Sequence, residues 1–261
     1  MSKLIYAGVS DVGFSRTVNE DFILIREFDD ITFALVSDGA GSTGATFQPA
    51  AIAALEIYES VLRWHQEAPD SFKEQAKNIL KESVTSAGRV LNAFKVANEE
   101  LYNGFGSSVS CCLIFDDTLV FAHTGNTRIN LIRKNKKSGE YQIQLLSKDQ
   151  TIGQNLVDEG KITFEEYHLR NERLQLTGGL GISATPIVQT FELPLRANDF
   201  ILLTTDGIHY ALRPDVFLKL LQTSKTCQDG VDAMVYAAKS EEYADNMAAI
   251  LLWNAEEKEE R

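Results

Sequence analysis

Cysteine is scarce in this 261-residue sequence: there are three, and two of them, Cys111 and Cys112, are adjacent. Three thiols cannot build a disulfide framework, and no Cys-x-x-Cys or His-x-x-x-His spacing suggests zinc. Buried free thiols in a reducing compartment are therefore expected. Basic residues are also short, 25 Lys and Arg against 37 Asp and Glu, which leaves a formal net charge of −12. A chain this acidic is a poor general ligand for nucleic acid or for an anionic membrane surface. No apolar run approaches the roughly 18 residues that span a bilayer, and the residues up to Asp11 contain no signal-peptide core. A cytoplasmic protein with no membrane attachment is the expectation. Linkers, internal repeats and low-complexity tracts are missing as well, so one domain, 1–261, is expected. The hydrophobic fraction of 44% and the charged fraction of 24% are those of an ordinary globular chain.

Hydrophobic periodicity divides the chain into segments. Strand patterns cover Leu4 to Val9, Phe22 to Glu27 and Ile31 to Ser37, the last two forming a hairpin across Asp29 and Asp30. From Thr46 the period changes to three or four, through Ile52, Leu55, Tyr58 and Leu62, which predicts a helix. After Ala68-Pro69-Asp70 a second, longer helix carries Phe72, Ala76, Ile79, Leu80, Val84, Ala87, Leu91 and Phe94 on one face. Strands return at Ser107 to Phe115, Thr118 to His123, Arg128 to Arg133 and Tyr141 to Leu146, which reads as an antiparallel meander. Short helices are expected between Gln150 and Arg170, strands at Ile187 to Leu193 and Phe200 to Thr205, and helices near Asp215 to Gln222 and Asp229 to Lys239. A last strand, Met247 to Trp253, precedes a solvated end. This order is α+β rather than the βαβα alternation of a doubly wound sheet.

Gly39-Ala-Gly41-Ser-Thr-Gly44 has the spacing of a dinucleotide-binding turn, but the following helix leads to a second helix and not to a parallel strand. The same stretch fails as a phosphate-binding loop because Ala45 stands where a Lys must contact phosphate. Acidic residues at strand ends carry more information. Phe33-Ala-Leu-Val-Ser-Asp38-Gly39 and Phe200-Ile-Leu-Leu-Thr-Thr-Asp206-Gly207 both end an apolar strand in Asp-Gly. Asp245-Asn246 opens a third apolar strand, and Arg16-Thr-Val-Asn19-Glu20-Asp21 precedes a fourth. Each Asp-Gly alone is an ordinary turn sequence. Together, carboxylates brought to one place would repel and raise one another's pKa unless a cation joined them. Oxygen ligands without Cys or His pairs point to Mg²⁺ or Mn²⁺.

At these residues the sequence resembles the metal-dependent PP2C (PPM) family of protein serine/threonine phosphatases, in a compact bacterial form. The resemblance runs from Gly8 to Asn246. It includes Arg16-x-x-Asn19-Glu20-Asp21, Val36-Ser-Asp38-Gly39, Gly106-Ser-Ser108, Gly125-Asn126-Thr-Arg128, Leu146-Ser-Lys-Asp149, Leu176-Thr-Gly-Gly-Leu-Gly181, Leu203-Thr-Thr-Asp206-Gly207 and Asp245-Asn246. It implies a sandwich of two antiparallel sheets flanked by pairs of helices, with a dinuclear metal site at one end. Asp38 would bridge two Mg²⁺ or Mn²⁺ ions, the Gly39 carbonyl would ligate one, and Asp206 and Asp245 would hold the second. Glu20 would act nearby through water, Asp21 and Asn246 would support, and Arg16 would clamp phosphate. Its planar fork suits two phosphate oxygens, although a surface salt bridge to Glu20 or Asp21 is the plainer assignment. The reaction implied is in-line attack on phosphorus by a hydroxide shared between the ions.

Three positions depart from the family pattern. Ala40 replaces a His, Asn126 replaces an Asp that binds a third metal, and Tyr210 stands where a companion acid is expected. The dinuclear core is thus kept and the third ion is not expected. His168 and His209 are the candidate proton donors for the leaving group. Phosphorylated proteins, a cognate Ser/Thr kinase and a monomeric state are expected. The competing reading is a PP2C-fold protein that binds phosphorylated partners without efficient turnover.

Overall fold

Two sheets, each of five antiparallel strands, lie face to face in the computed structural model, which describes residues 2–41, 48–97, 104–241 and 245–256. The first sheet runs in the order β1 (Ser2–Asp11), β10 (Met247–Glu256), β9 (Phe200–Thr204), β6 (Arg128–Lys134) and β7 (Tyr141–Leu145). The second runs β2 (Phe22–Phe28), β3 (Ile31–Ala40), β4 (Gly106–Phe115), β5 (Thr118–Thr124) and β8 (Gln189–Pro194). Helices α1 (Pro49–Glu67) and α2 (Pro69–Ala97) pack on the second sheet, and α6 (Pro214–Thr223) and α7 (Cys227–Ser240) on the first. Smaller helices α3 (Ile152–Asp158), α4 (Phe164–Leu169) and α5 (Asp206–His209) lie between strands. This is the α-β-β-α sandwich that the resemblance implied.

Sequence period explains the layers. In β3, Phe33 and Leu35 face the helices while Ala34 and Val36 face the other sheet, as successive side chains in a strand must. Cys111 and Cys112 divide in the same way, and both are buried free thiols. In α2 the buried residues Phe72, Ala76, Ile79, Leu80, Val84, Ala87 and Leu91 form one stripe. Ala68 separates the two long helices, and a proline opens each of them, where its missing N–H costs no hydrogen bond.

The expected meander is corrected by the topology. β4 and β5 pair, but the chain then crosses to the other sheet, where β6 pairs with β7 and β9, and β8 takes the place beside β5. The crossing is made at Gly125-Asn126-Thr127, a point that strand periodicity alone does not mark. Asp38-Gly39 lies inside β3, opposite Ser108 and Ser107, and not in a turn. The start of the first helix at Thr46, the glycine motif's Gly44, and the end beyond Glu256 fall outside the described residues.

The register gathers one end of both sheets. Asp11 lies opposite Met247, Phe22 opposite Ser37, Asp38 opposite Ser108, and Arg128 and Ala249 opposite Thr204. Every acidic motif therefore emerges at the same end.

Candidate active site

Two glycines allow the acid-bearing segments to pack backbone against backbone. A Cβ on Gly39 would lie 2.8 Å from the Glu20 carbonyl oxygen, and one on Gly207 would lie 1.9 Å from that of Asn246. The Asp-Gly pairs are thus fixed by close approach, with Asp38 beside the Glu20 segment and Asp206 beside the Asp245 segment. Asn246 fastens the loop between β1 and β2. Its Nδ2 donates to the Val12 and Val18 carbonyls at 2.9 Å each, and its Oδ1 accepts from the Glu20 N–H at 2.9 Å. Asp21 is buried and accepts from Thr205 Oγ1 at 2.6 Å.

Five carboxylates share this space. Burial first, then Asp206, Asp21, Asp245 and Glu20, push Asp38 well above the usual carboxylate range. Burial, with Asp206, Asp245 and Glu20, does the same to Asp21 against the opposing Thr205 hydrogen bond. Asp206 is raised to about 7 by burial and Asp245, with Asn126 pulling the other way. Asn126 is oriented for that role: its Oδ1 accepts from Ser108 Oγ at 2.8 Å, so its Nδ2 donates to Asp206 Oδ2 at 3.1 Å. Arg16 pairs with Asp245, at 3.1 Å to Oδ1 and 3.2 Å to Oδ2, and the Glu20 and Asp206 carboxylates also act on its guanidinium. Its side chain remains about half exposed, so it can change partner.

An all-oxygen set of mutually repelling carboxylates fits a hard divalent cation, which removes the repulsion that raises their proton affinity. Among the described residues no three such side chains are gathered tightly enough to chelate an ion as they stand. Arg16 contacts Asp245 and the Asn126 amide contacts Asp206.

Beside the acids lies a second charged cluster. Arg128 grips Asp149 with Nε at 3.0 Å from Oδ1 and Nη2 at 2.7 Å from Oδ2, and both residues are buried. Tyr167, from α4, donates to Asp149 Oδ2 at 2.6 Å. The Tyr210 hydroxyl lies 3.0 Å from that of Tyr167 and donates to the Arg173 carbonyl at 3.0 Å. The Tyr210 ring sits between the Arg128 and Arg173 guanidinium groups, at 5.3 and 4.9 Å. Burial and Asp149 push its phenol far above the ordinary value, so it stays neutral. Tyr210 therefore supplies no anionic oxygen and instead ties the 151–175 segment to α5.

The histidines are poor acids as placed. His209 is buried with Nδ1 at 3.0 Å from Thr204 Oγ1, and burial and the neighbouring Arg128 hold it well below the ordinary value. His168 is also lowered, by burial first and then by Arg128. His123 is a core residue, lowered to about 4 by burial and bonded to Ser110 and the Lys148 carbonyl. Sequence reading assigned no role to Thr205, Ser108, Tyr167 or the Arg128–Asp149 pair. The motif spacings contained Thr205, Ser108, Arg128 and Asp149, but only the fold shows which groups they meet.

The sequence profile of the protein phosphatase 2C family matches residues 15–252. A putative protein phosphatase 2C-type of Streptococcus pyogenes is 25% identical over 95% of this chain and 96% of its own. The structure of the S. agalactiae serine/threonine phosphatase superposes with a TM-score of 0.83 at 22% identity, covering 97% of this chain and 100% of that one. The catalytic domain of the serine/threonine protein phosphatase PstP, solved in complex with two manganese ions, superposes with a TM-score of 0.75 at 23% identity over 97% and 99% of the two chains.

Proposed function

Because the chain belongs to the protein phosphatase 2C family and is a protein serine/threonine phosphatase, we propose that it hydrolyses phosphoserine and phosphothreonine at the end of the sandwich where its acidic motifs meet. The observation that carries this assignment is the group of five carboxylates that raise one another's proton affinity around Asp38. Asp38, the Gly39 carbonyl, Asp206 and Asp245 would hold two Mg²⁺ or Mn²⁺ ions, with Glu20 acting through water. The manganese complex of PstP supports that cofactor class. Bound ions supply a water acidified toward neutral pH and neutralise charge on the phosphoryl oxygens.

The chain's own groups prepare the rest. The Asn126 amide donates to Asp206 and favours its ionised form, the one a cation needs. Arg16 leaves Asp245 for the incoming phosphate, whose two oxygens match its fork. Asn246 holds the Glu20 backbone, and Thr205 holds the Asp21 carboxylate, beside the two Asp-Gly segments. Phosphorylated proteins are the substrates, and a cognate Ser/Thr kinase would generate them. A monomer working in the cytoplasm fits this reading, and no described helix is long and apolar enough to cross a membrane.

The deciding measurement is Mn²⁺-dependent hydrolysis of p-nitrophenyl phosphate and of a phosphothreonine peptide. Both activities are expected in the wild type, and neither in Asp38→Asn. Binding of the phosphopeptide without turnover in either protein would favour the binding-protein reading instead.

A further inference from the structure

At the opposite end of the sandwich from the carboxylates, the charge reverses. A cleft of about 850 Å³ there is lined by Arg133, Lys134, Lys136, Lys137 and Arg196, and no carboxylate lines it. Arg133 is neutralised by the buried Asp199, which it grips through Nε and Nη2. Among the described residues, Lys134, Lys136, Lys137 and Arg196 pair with no carboxylate, and all four are exposed. In a chain of net charge −12 this is a local concentration of the scarcer sign.

The cleft straddles the free edge of a sheet. β7 ends the order β1-β10-β9-β6-β7, and the lining includes Gln142 and Gln144 from one face of β7 and Tyr141 and Ile143 from the other. The direction of the backbone groups follows from the pairing. Asn135 N–H bonds the Glu140 carbonyl and Leu146 N–H bonds the Ile129 carbonyl. In this antiparallel register, the even-numbered residues between them point their backbone groups at β6, and Tyr141, Ile143 and Leu145 point theirs outward. Such an edge is a template for another strand unless something covers it.

A second, mostly apolar cavity of about 270 Å³ adjoins the same edge, sharing Tyr141 and Leu218 with the cleft and completed by Ile132, Phe200, Leu221 and Gln222. Backbone edge, apolar pocket and cationic rim together define one kind of occupant. It is an extended segment that adds as a strand, seats an apolar side chain against Tyr141 and Leu218, and carries acidic side chains toward the lysines. A second copy of this chain fits poorly, because pairing β7 with β7 brings two basic rims together.

We propose that the β7 edge is a docking site for an acidic, extended segment of the phosphoprotein substrate, separate from the residue being dephosphorylated. This rests on the phosphatase reading for the word substrate, but not for the binding itself. Spacing sets a further condition. Arg128 begins β6 beside the carboxylates and Lys134 ends it at the cleft, six residues later, or about 20 Å at strand rise. A substrate that uses both sites needs at least about six extended residues between its phosphate and its acidic segment.

The test uses a fluorescent nine-residue peptide of alternating Glu and Ile, titrated into the full chain by anisotropy. Binding is expected to weaken about tenfold in a Lys134→Ser/Lys136→Ser/Lys137→Ser variant and with rising salt. It should also be lost when the peptide backbone is N-methylated at alternate residues, because strand addition needs those N–H groups. Mn²⁺-dependent turnover of p-nitrophenyl phosphate should be unchanged in the variant. A phosphopeptide joined to the Glu/Ile segment by twelve residues should lose its kcat/KM advantage over one joined by three. Equal binding by wild type and variant, by a Lys/Ile peptide, or by the N-methylated peptide overturns the proposal, as does tighter binding of a single-stranded oligonucleotide of equal charge. If the peptide binds as expected but neither phosphate ester is hydrolysed, the docking edge stands and the phosphatase reading fails.

Discussion

Two charged clusters lie side by side at the acidic end of the sandwich, and they are built on opposite principles. In one, the buried Arg128 and Asp149 meet through parallel hydrogen bonds, and Tyr167 occupies another acceptor position on the carboxylate. In the other, Asp38, Asp21 and Asp206 face one another, with Asp245 and Glu20, and the half-exposed Arg16 guanidinium and the nearby Arg173 offset only part of that charge. The first cluster is balanced within the chain. The second is balanced only by something added from outside. Buried like charges that repel one another in this way mark a site that takes up cations and substrate, whereas a closed ion pair marks structure.

The largest effects should therefore differ in kind. Asp206→Asn should lower kcat by about 10³ or more, because a charged ligand of the proposed ions is replaced by a neutral amide. In metal-free buffer at pH 8 the same variant should melt higher than wild type, since repulsion among the acids is relieved. Asp149→Asn should behave in reverse. It leaves Arg128 buried and uncompensated, a loss of about 3–5 kcal/mol, or on the order of 10 °C in Tm for a chain of this size. If both variants destabilise the metal-free protein equally, the distinction between the clusters is wrong.

The pH dependence sharpens the same contrast. Without metal, Asp206 titrates at about 7 in the folded chain against an ordinary 3.8, so the folded state holds a proton that the unfolded state has released. The stability this contributes is complete below pH about 4 and is lost as pH rises through about 7. The shift sets a ceiling of about 4 kcal/mol. Buried His123, lowered to about 4, acts oppositely and loses its contribution as pH falls from the ordinary value toward 4. The informative quantity is thus the difference in Tm between wild type and Asp206→Asn. In chelator it should widen in favour of the variant from pH 5 to pH 8, and Mn²⁺ should reverse its sign. A constant difference would mean that Asp206 is not protonated in the metal-free fold.

Arg16 comes next in size, because it belongs to both states of the acidic cluster. Arg16→Ala should raise KM for phosphate esters by about ten- to a hundredfold, the value of a charge-assisted bidentate contact. It should not weaken Mn²⁺ binding, since it frees Asp245 from its present partner. An unchanged kcat/KM would limit Arg16 to pairing with Asp245.

How far the sequence reveals these clusters depends on the kind of signal each leaves. Strand periodicity marks β3 and β9 as apolar runs, and an Asp at the end of such a run stands out because charge is rare there. The acidic cluster was legible for that reason. Nothing local tells Asp149, Tyr167 and Tyr210 that they share an arginine. They come from a loop, a six-residue helix and the residue after α5, and they meet only because β6 crosses to the other sheet. That crossing is also where the sequence reading failed. Both β5 and β6 are short buried runs that read like members of one meander, and the turn between them does not specify which sheet receives the next strand. Arg16 illustrates the same limit, since its partner is 229 residues away.

The smallest effect concerns the seam between the two clusters. Tyr210 follows α5, four residues after Asp206, and its hydroxyl joins Tyr167 of α4, the Arg173 carbonyl and, at 3.4 Å, Asp149 Oδ2. Tyr210→Phe keeps the ring between Arg128 and Arg173 and removes only those hydrogen bonds. A cost of about 1 kcal/mol, and so a few degrees in Tm, is expected. Because the lost contacts hold the 151–175 segment against α5, the amides of α4 should exchange faster with deuterium, while those of β3 and β9 should not change. Turnover with Mn²⁺ should fall only a few-fold, since the phenol is neutral in the wild type and no charge is removed. The comparison with an acid at this position is direct. If Tyr210 were serving as a metal ligand, Tyr210→Phe would weaken Mn²⁺ dependence as strongly as a ligand carboxylate does, and α4 exchange would be unaffected. If it is the tie between the segments, metal dependence holds and α4 loosens.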